Sequence, residues 1–176
     1  REAVARWDDE ALHYGTMGQA CDRFTADDWF DVGYRLAVGG FEWDVLGSPG
    51  HDMDSLLLWQ PEHRLLVSAD ALWQDGFGIV FPELFGEPGF AAQAATLDML
   101  AGLDAAVVIP GHGPMFTDYR AALDRARRRL DYLRANPERH ALSAMKVGLS
   151  FMLLDRQCIG LRNLETVWGQ LPLMQR

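Results

Sequence analysis

The sequence predicts a mixed α/β fold, and three features carry that expectation. Apolar runs of strand length end abruptly at Gly, Pro or Ser, as in Val108-Ile109-Pro110-Gly111-His112-Gly113-Pro114. Later stretches repeat apolar residues at helical spacing. The 176 residues are 49% hydrophobic, enough for a substantial core, yet no apolar run is long enough to cross a bilayer.

Taken in order, residues 2–12 suit a helix with Val4, Trp7 and Ala11 along one side. Residues 13–30 hold Gly, Thr and Asp clusters and read as loop with aromatic anchors. His13 stands alone there, and a lone loop His is more often a surface residue than a ligand. Residues 34–38 and 41–46 flank Gly39-Gly40, the composition of a tight hairpin turn with positive φ. Phe41, Trp43 and Val45 alternate with Glu42 and Asp44, so this strand buries one face and wets the other. Residues 56–59 and 64–68 make a second strand pair around Gln60-Pro61-Glu62-His63, with His63 a solvated turn residue. Residues 71–90 read as an aromatic, Gly-rich loop that either walls a pocket or packs over the core.

Pro88 fits the first turn of a helix with Phe90, Ala94, Leu97 and Ala101 on its apolar side and Gly102 at its end. A short buried strand over 105–109 follows. Thr117 or Asp118 can cap a helix to Ala135 marked by Leu123, Ala126, Leu130 and Leu133. Asn136 can cap the next helix, with Pro137 at its first position. That helix carries Ala141, Met145, Leu149, Met152 and Leu153, its methionines read as core filler rather than a cofactor site. His140 near its start reads as structural or exposed.

A net charge of −9 argues against phosphate-backbone binding, so neither nucleic acid nor membrane is an expected partner. Arg125, Arg127, Arg128 and Arg129 form one basic cluster, but without interleaved aromatics it reads as a solvated helix face. Cys21 and Cys158 are unpatterned and predict neither a disulfide framework nor a zinc ribbon. A reducing, cytoplasmic compartment is the expectation.

Chemistry concentrates at three strand tips. Val45-Leu46-Gly47-Ser48-Pro49-Gly50 delivers His51, Leu65-Leu66-Val67-Ser68-Ala69 delivers Asp70, and Val108-Ile109-Pro110-Gly111 delivers His112. Singly, each has an ordinary explanation: Pro-Gly-His is a turn, and an Asp after a strand often caps a helix. The three are too far apart in sequence for a local zinc clamp, so tertiary structure must gather them. Imidazole and carboxylate together suit zinc, iron or manganese.

The ordered series Ser-Pro-Gly-His51, Ser-Ala-Asp70 and Ile-Pro-Gly-His112-Gly resembles the second half of the metallo-β-lactamase-fold hydrolases, including glyoxalase II-like thioesterases, over residues 31–118. The resemblance implies a four-layer αββα sandwich, with residues 1–118 its second half and 119–176 a C-terminal helical extension of the same domain. It implies His51 as a ligand of the first metal, Asp70 as the catalytic residue bridging two metals, and His112 as a ligand of the second. Zinc is the foremost expectation for the two divalent ions, with iron or manganese possible. The implied activity is hydrolysis of a thioester, lactone or other ester or amide bond of a small molecule by metal-activated hydroxide.

The chain also departs from the family pattern. The motif His-x-His-x-Asp-His is absent and is expected upstream of Arg1-Glu2-Ala3, so the expectation is either a C-terminal fragment or a protein whose N-terminal part was lost. Asp52 and Asp54 stand where the glyoxalase II-like pattern has Thr and a small residue, which counts against a glutathione thioester. They either make outer contacts to ligating imidazoles or cap a turn. Two other readings stay open. A persulfide dioxygenase-like enzyme would hold one iron through His51 and Asp70, although residues 71–81 lack the Cys-containing pattern of that group. A non-catalytic interaction module would keep the scaffold alone. Half a sandwich leaves one sheet's inner face uncovered, so these residues alone are expected either to be unstable or to self-associate into a homo-oligomer through that face.

Overall fold

Arg35–Val38 (β1), Phe41–Gly47 (β2), Leu56–Gln60 (β3), Leu65–Ala69 (β4) and Val107–Pro110 (β5) form one five-stranded sheet in the order β1-β2-β3-β4-β5. The computed structural model describes residues 2–8, 12 and 22–169. His13 and Cys21 lie outside the described residues, as does residue 11 of the predicted first helix. The chain divides into two compact units, residues 30–140 and residues 1–29 with 141–176.

In the larger unit the predicted hairpin is present, with Val38 opposite Phe41 and the intervening Gly39 and Gly40 at φ 64° and 80°. Two successive positive φ values match the turn to the twist of the strands, and glycine adopts them without a Cβ clash. Trp43 and Val45 are buried and Glu42 is exposed, as the alternation predicts. β2, β3 and β4 continue antiparallel, and β5 joins β4 in parallel. A parallel return needs a long crossover. It carries Phe81–Leu84 (α2) and Gly89–Ala101 (α3).

α2 corrects the sequence reading, which placed only loop there. Pro82 starts a single helical turn, and Glu83 accepts a hydrogen bond from the Phe90 amide at 2.8 Å. That bond serves the start of α3, whose N-cap is Pro88 and offers no side-chain acceptor. The buried side of α3 holds Phe90, Gln93, Thr96, Leu97 and Leu100, so two polar residues join the predicted apolar stripe.

Tyr119–Ala135 (α4) packs on α3 through the core formed with Leu57, Leu66, Val108, Leu72, Phe77 and Val80. Asp118 is its N-cap by position, but its carboxylate makes no cap bond and turns instead to Arg125 (2.6 Å) and Gln74 (3.4 Å). The basic cluster on α4 is not uniformly solvated: Arg129 lies over the Phe77 ring at 5.4 Å, and burial lowers its pKa. His140 is 1% exposed and packs on Phe90, and desolvation lowers its pKa too.

In the smaller unit, Glu2–Arg6 (α1) stops before Trp7, which sits at φ 51° and meets Phe24 edge-on. Pro137–Arg156 (α5) begins in the larger unit and continues into the smaller, where Leu161–Asn163 forms a 3-10 turn and Leu164–Gly169 forms α6. Met152 is buried with Ile159 packed against it, consistent with a filling role, and Cys158 is exposed and free. No helix among the described residues is long and apolar enough to cross a membrane.

Two expectations follow for stability. The buried Tyr119 hydroxyl donates to the Leu100 carbonyl at 2.5 Å, and burial pushes the phenol up to about 12. Leu103 also donates to that carbonyl, so Tyr119→Phe removes one hydrogen bond without orphaning its acceptor. The cost is about 1 kcal/mol, read as a lower urea midpoint at unchanged slope; an unchanged midpoint refutes it. The hydrogen bond from Arg125 holds Asp118 below its ordinary value of 3.8. Its contribution is therefore full above that value and is lost as pH falls through the lower folded-state value. Asp118→Asn should flatten the loss of stability between pH 5 and pH 2, measured by urea unfolding across pH; an identical profile contradicts the tie.

Candidate active site

Strand direction gathers the three predicted residues. β2 and β4 are each antiparallel to β3, and β5 is parallel to β4, so all three run the same way. Their C-terminal ends therefore share one edge of the sheet. His51 follows β2, Asp70 follows β4 at once, and His112 follows β5 by two residues.

Asp70 lies between the imidazoles. Its Oδ2 is 3.5 Å from His51 Nε2, and its Oδ1 is 3.8 Å from His112 Nε2. Each imidazole thus addresses a different oxygen of one carboxylate. This is a bridge rather than a cage, and no group of three or more His, Cys, Asp and Glu side chains among the described residues is drawn into one ready ligand shell. His112 is the most open of the three, its side chain 72% exposed against 28% for His51 and 25% for Asp70.

The backbone around Asp70 is held tightly. β4 ends in a register shift between Val67 and Ala69, and Ala69 sits at φ 45°. A left-handed residue with a Cβ costs about 1–2 kcal/mol, strain of the kind found at functional sites. It is secured by Gly111 N–H donating to the Ala69 carbonyl at 2.8 Å and by Ser68 Oγ donating to the Leu72 carbonyl at 2.6 Å. Gly78 N–H donates to the Asp70 carbonyl at 2.8 Å. Two glycines permit the approach. A Cβ at Gly78 would lie 2.7 Å from His51 Nδ1 and 2.9 Å from Asp70 Cβ, and one at Gly111 would lie 2.7 Å from Asp70 Oδ1.

Hydrogen bonds also assign the atoms. His51 Nδ1 is 2.6 Å from the Ile79 carbonyl, which can only accept, so the Nδ1 proton points there. Nε2 then turns its lone pair toward Asp70 Oδ2. Two electron-rich atoms facing across 3.5 Å suit a cation between them. The chemistry of this donor set suits a divalent ion, and the Ile79 carbonyl would then be the outer contact that orients the imidazole.

The sequence reading missed several supports. Trp73 Nε1 donates to Asp70 Oδ1 at 3.0 Å, and the indole meets the His112 ring edge-on at 5.2 Å. From α3, Gln93 donates to the Ala71 carbonyl at 3.1 Å and Thr96 to the Pro49 carbonyl at 2.8 Å. One helix thereby ties down the loops of both Asp70 and His51. Two polar residues three apart beside Phe90 and Leu97 were the available signal for that role. Asp52 caps a turn, its Oδ1 accepting from the Asp54 amide at 2.7 Å. His63 sits in its turn bonded to Gln60 and edge-on to Phe41. An open recess of about 410 Å³ lies elsewhere, lined by Arg64, Asp104, Thr117 and Arg120, and touches none of the three site residues.

Residues 2–112 match the family described as the Metallo-beta-lactamase superfamily. A beta-lactamase-like protein 2 homolog of Caenorhabditis elegans is 27% identical over 124 residues, 68% of this chain and 40% of that protein. Hydroxyacylglutathione hydrolase GloC of Haemophilus influenzae is 30% identical over 98 residues, 54% of this chain and 45% of that protein. The chain spans less than half the length of these relatives. A metallo-beta-lactamase family protein of Thermus thermophilus superposes with a TM-score of 0.53 at 20% identity, over 81% of this chain and 50% of that one. A protein solved in a di-iron-bound form gives 0.53 at 24% identity, over 70% of this chain and 59% of that one. Likeness at these identities establishes the shared fold.

The close approach at Gly78 makes a direct prediction. Gly78→Ala must displace His51 or Asp70, at a cost of about 1–3 kcal/mol in overpacking. Thermal unfolding of the variant should show that loss; a wild-type midpoint would show that the approach is unimportant.

Proposed function

The chain belongs to the metallo-beta-lactamase superfamily, and from that premise we propose that His51, Asp70 and His112 are its share of a dimetal hydrolase site. The observation that carries the proposal is the Asp70 carboxylate with one oxygen toward each imidazole. In this reading His51 and Asp70 would hold one ion, and Asp70 and His112 would hold the other. Zinc is the preferred metal, and the di-iron form of a fold relative supports iron as an alternative. Divalent ions held there would lower the pKa of water to about 7 and polarise a substrate carbonyl.

The chain's own residues contribute orientation. Ile79 fixes the ring of His51, Trp73 and Gly78 fix Asp70, and the loop of His112 is closed where Phe116 pairs with Val108. The substrate proposed is a small molecule carrying a thioester, lactone or other ester or amide bond. Similarity to proteins named hydroxyacylglutathione hydrolase supports the thioester class. The other ligands of such a site belong to the His-x-His-x-Asp-His motif, which these 176 residues do not contain.

The test uses the full-length protein. Metal analysis should return about two equivalents per chain. Asp70→Ala should lose bound metal and reduce ester or thioester turnover by more than ~100-fold, beyond the usual cost of losing an outer contact. Unchanged metal content, or full turnover in the variant, overturns the proposal.

A further inference from the structure

We infer that Trp73 is a positioning residue that sets the rotation of the Asp70 carboxylate and makes its two oxygens unequal. The inference rests on the reading of Asp70 as a bridge between two metal positions. Indole Nε1 is a donor only, and it reaches Oδ1 at 3.0 Å. Oδ2 faces His51 and receives no comparable donor among the described contacts. The indole's hydrogen bond falls on the oxygen turned toward His112, so its loss is felt first at the position that this oxygen faces. The same indole covers one side of the otherwise open His112 ring, 5.2 Å away at 72°. One side chain thus touches both groups assigned to the His112-side ion, and only the carboxylate of the His51-side pair.

Trp73 is itself fastened from outside the site. Its amide donates to the Gly76 carbonyl at 2.7 Å, closing a tight turn over 73–76. Arg125 of α4 donates to the Gln74 carbonyl at 2.7 Å and pairs with Asp75 at 3.3 Å. Arg129 presses on the turn so closely that a Cβ at Gly76 would lie 2.8 Å from its Cδ. Two arginines that look like surface charge in the sequence therefore hold the turn that aims the carboxylate. Neither touches the site; both act through Trp73.

The experiment is a chelator-competition titration of the metal-free, full-length protein with Zn²⁺. Trp73→Phe keeps the ring and deletes the donor. Removing an outer partner of a ligand typically weakens metal binding by about 10–100-fold. The expected result is a loss of that size in one equivalent only, with the other near its wild-type value. Adding Trp73→Phe to His112→Ala should produce no further one-sided loss, which assigns the affected equivalent to the His112 side. A merely structural role would weaken both equivalents together. If Trp73→Phe does not fold, Arg125→Met loosens the turn from a distance and should give a smaller loss in the same equivalent. Two equivalents in the wild type with no change, or an equal change, in the variant overturns the role of Trp73 alone. A wild-type protein that binds no zinc, iron or manganese overturns the metal site and this inference with it.

Discussion

Val67 and Ile109 face each other in a parallel ladder, and Leu58 faces Val45 on one side and Val67 on the other in antiparallel ones. Together these pairings send β2, β4 and β5 in one direction, so three loops from distant parts of the chain open on the same edge. Were β5 antiparallel to β4, His112 would leave the sheet at the opposite edge. The parallel pairing requires the long crossover through α2 and α3. That crossover also supplies Trp73, Gly78 and Ile79 as it leaves β4, and Gln93 and Thr96 on the helix packed behind.

The site edge combines strain with close packing. Ala69 is left-handed, Gly78 and Gly111 admit backbone where a side chain would collide, and Gln93 is fully buried. Gln93 satisfies its Nε2 on the Ala71 carbonyl, while its Oε1 is left without a hydrogen-bond partner against Gly50. A purely structural helix would place apolar residues at 93 and 96. Polar ones there join loops whose mutual position matters more than the stability given up, a trade common where a scaffold must hold a reactive geometry.

The orientation of atoms follows from elementary donor and acceptor chemistry. A carbonyl on His51 Nδ1 leaves Nε2 as the lone-pair nitrogen, and an indole on Asp70 Oδ1 leaves Oδ2 unshared. These contacts fix how the two imidazoles face the one carboxylate. They also explain why α4, remote from the chemistry, is tied to it: Arg125 and Arg129 reach the 73–77 segment, and that segment carries the indole.

The strands, the Gly39-Gly40 hairpin and the main helices were legible in the sequence because they rest on local periodicity and turn chemistry. His51, Asp70 and His112 stood out because each follows a strand that ends at small or turn-forming residues. The single turn of α2, the buried polar face of α3 and the anchoring arginines were not legible. Each depends on a partner outside its own element: Glu83 on Phe90 in the next helix, Thr96 on Pro49 and Arg125 on Gln74 far back along the chain. The sequence by itself determined which side chains stand at the strand ends, since that is set by neighbours a few residues away. Only the tertiary structure decided that those ends lie side by side and which carboxylate oxygen meets which imidazole, because strand direction and long-range hydrogen bonds are properties of pairing, not of any one segment.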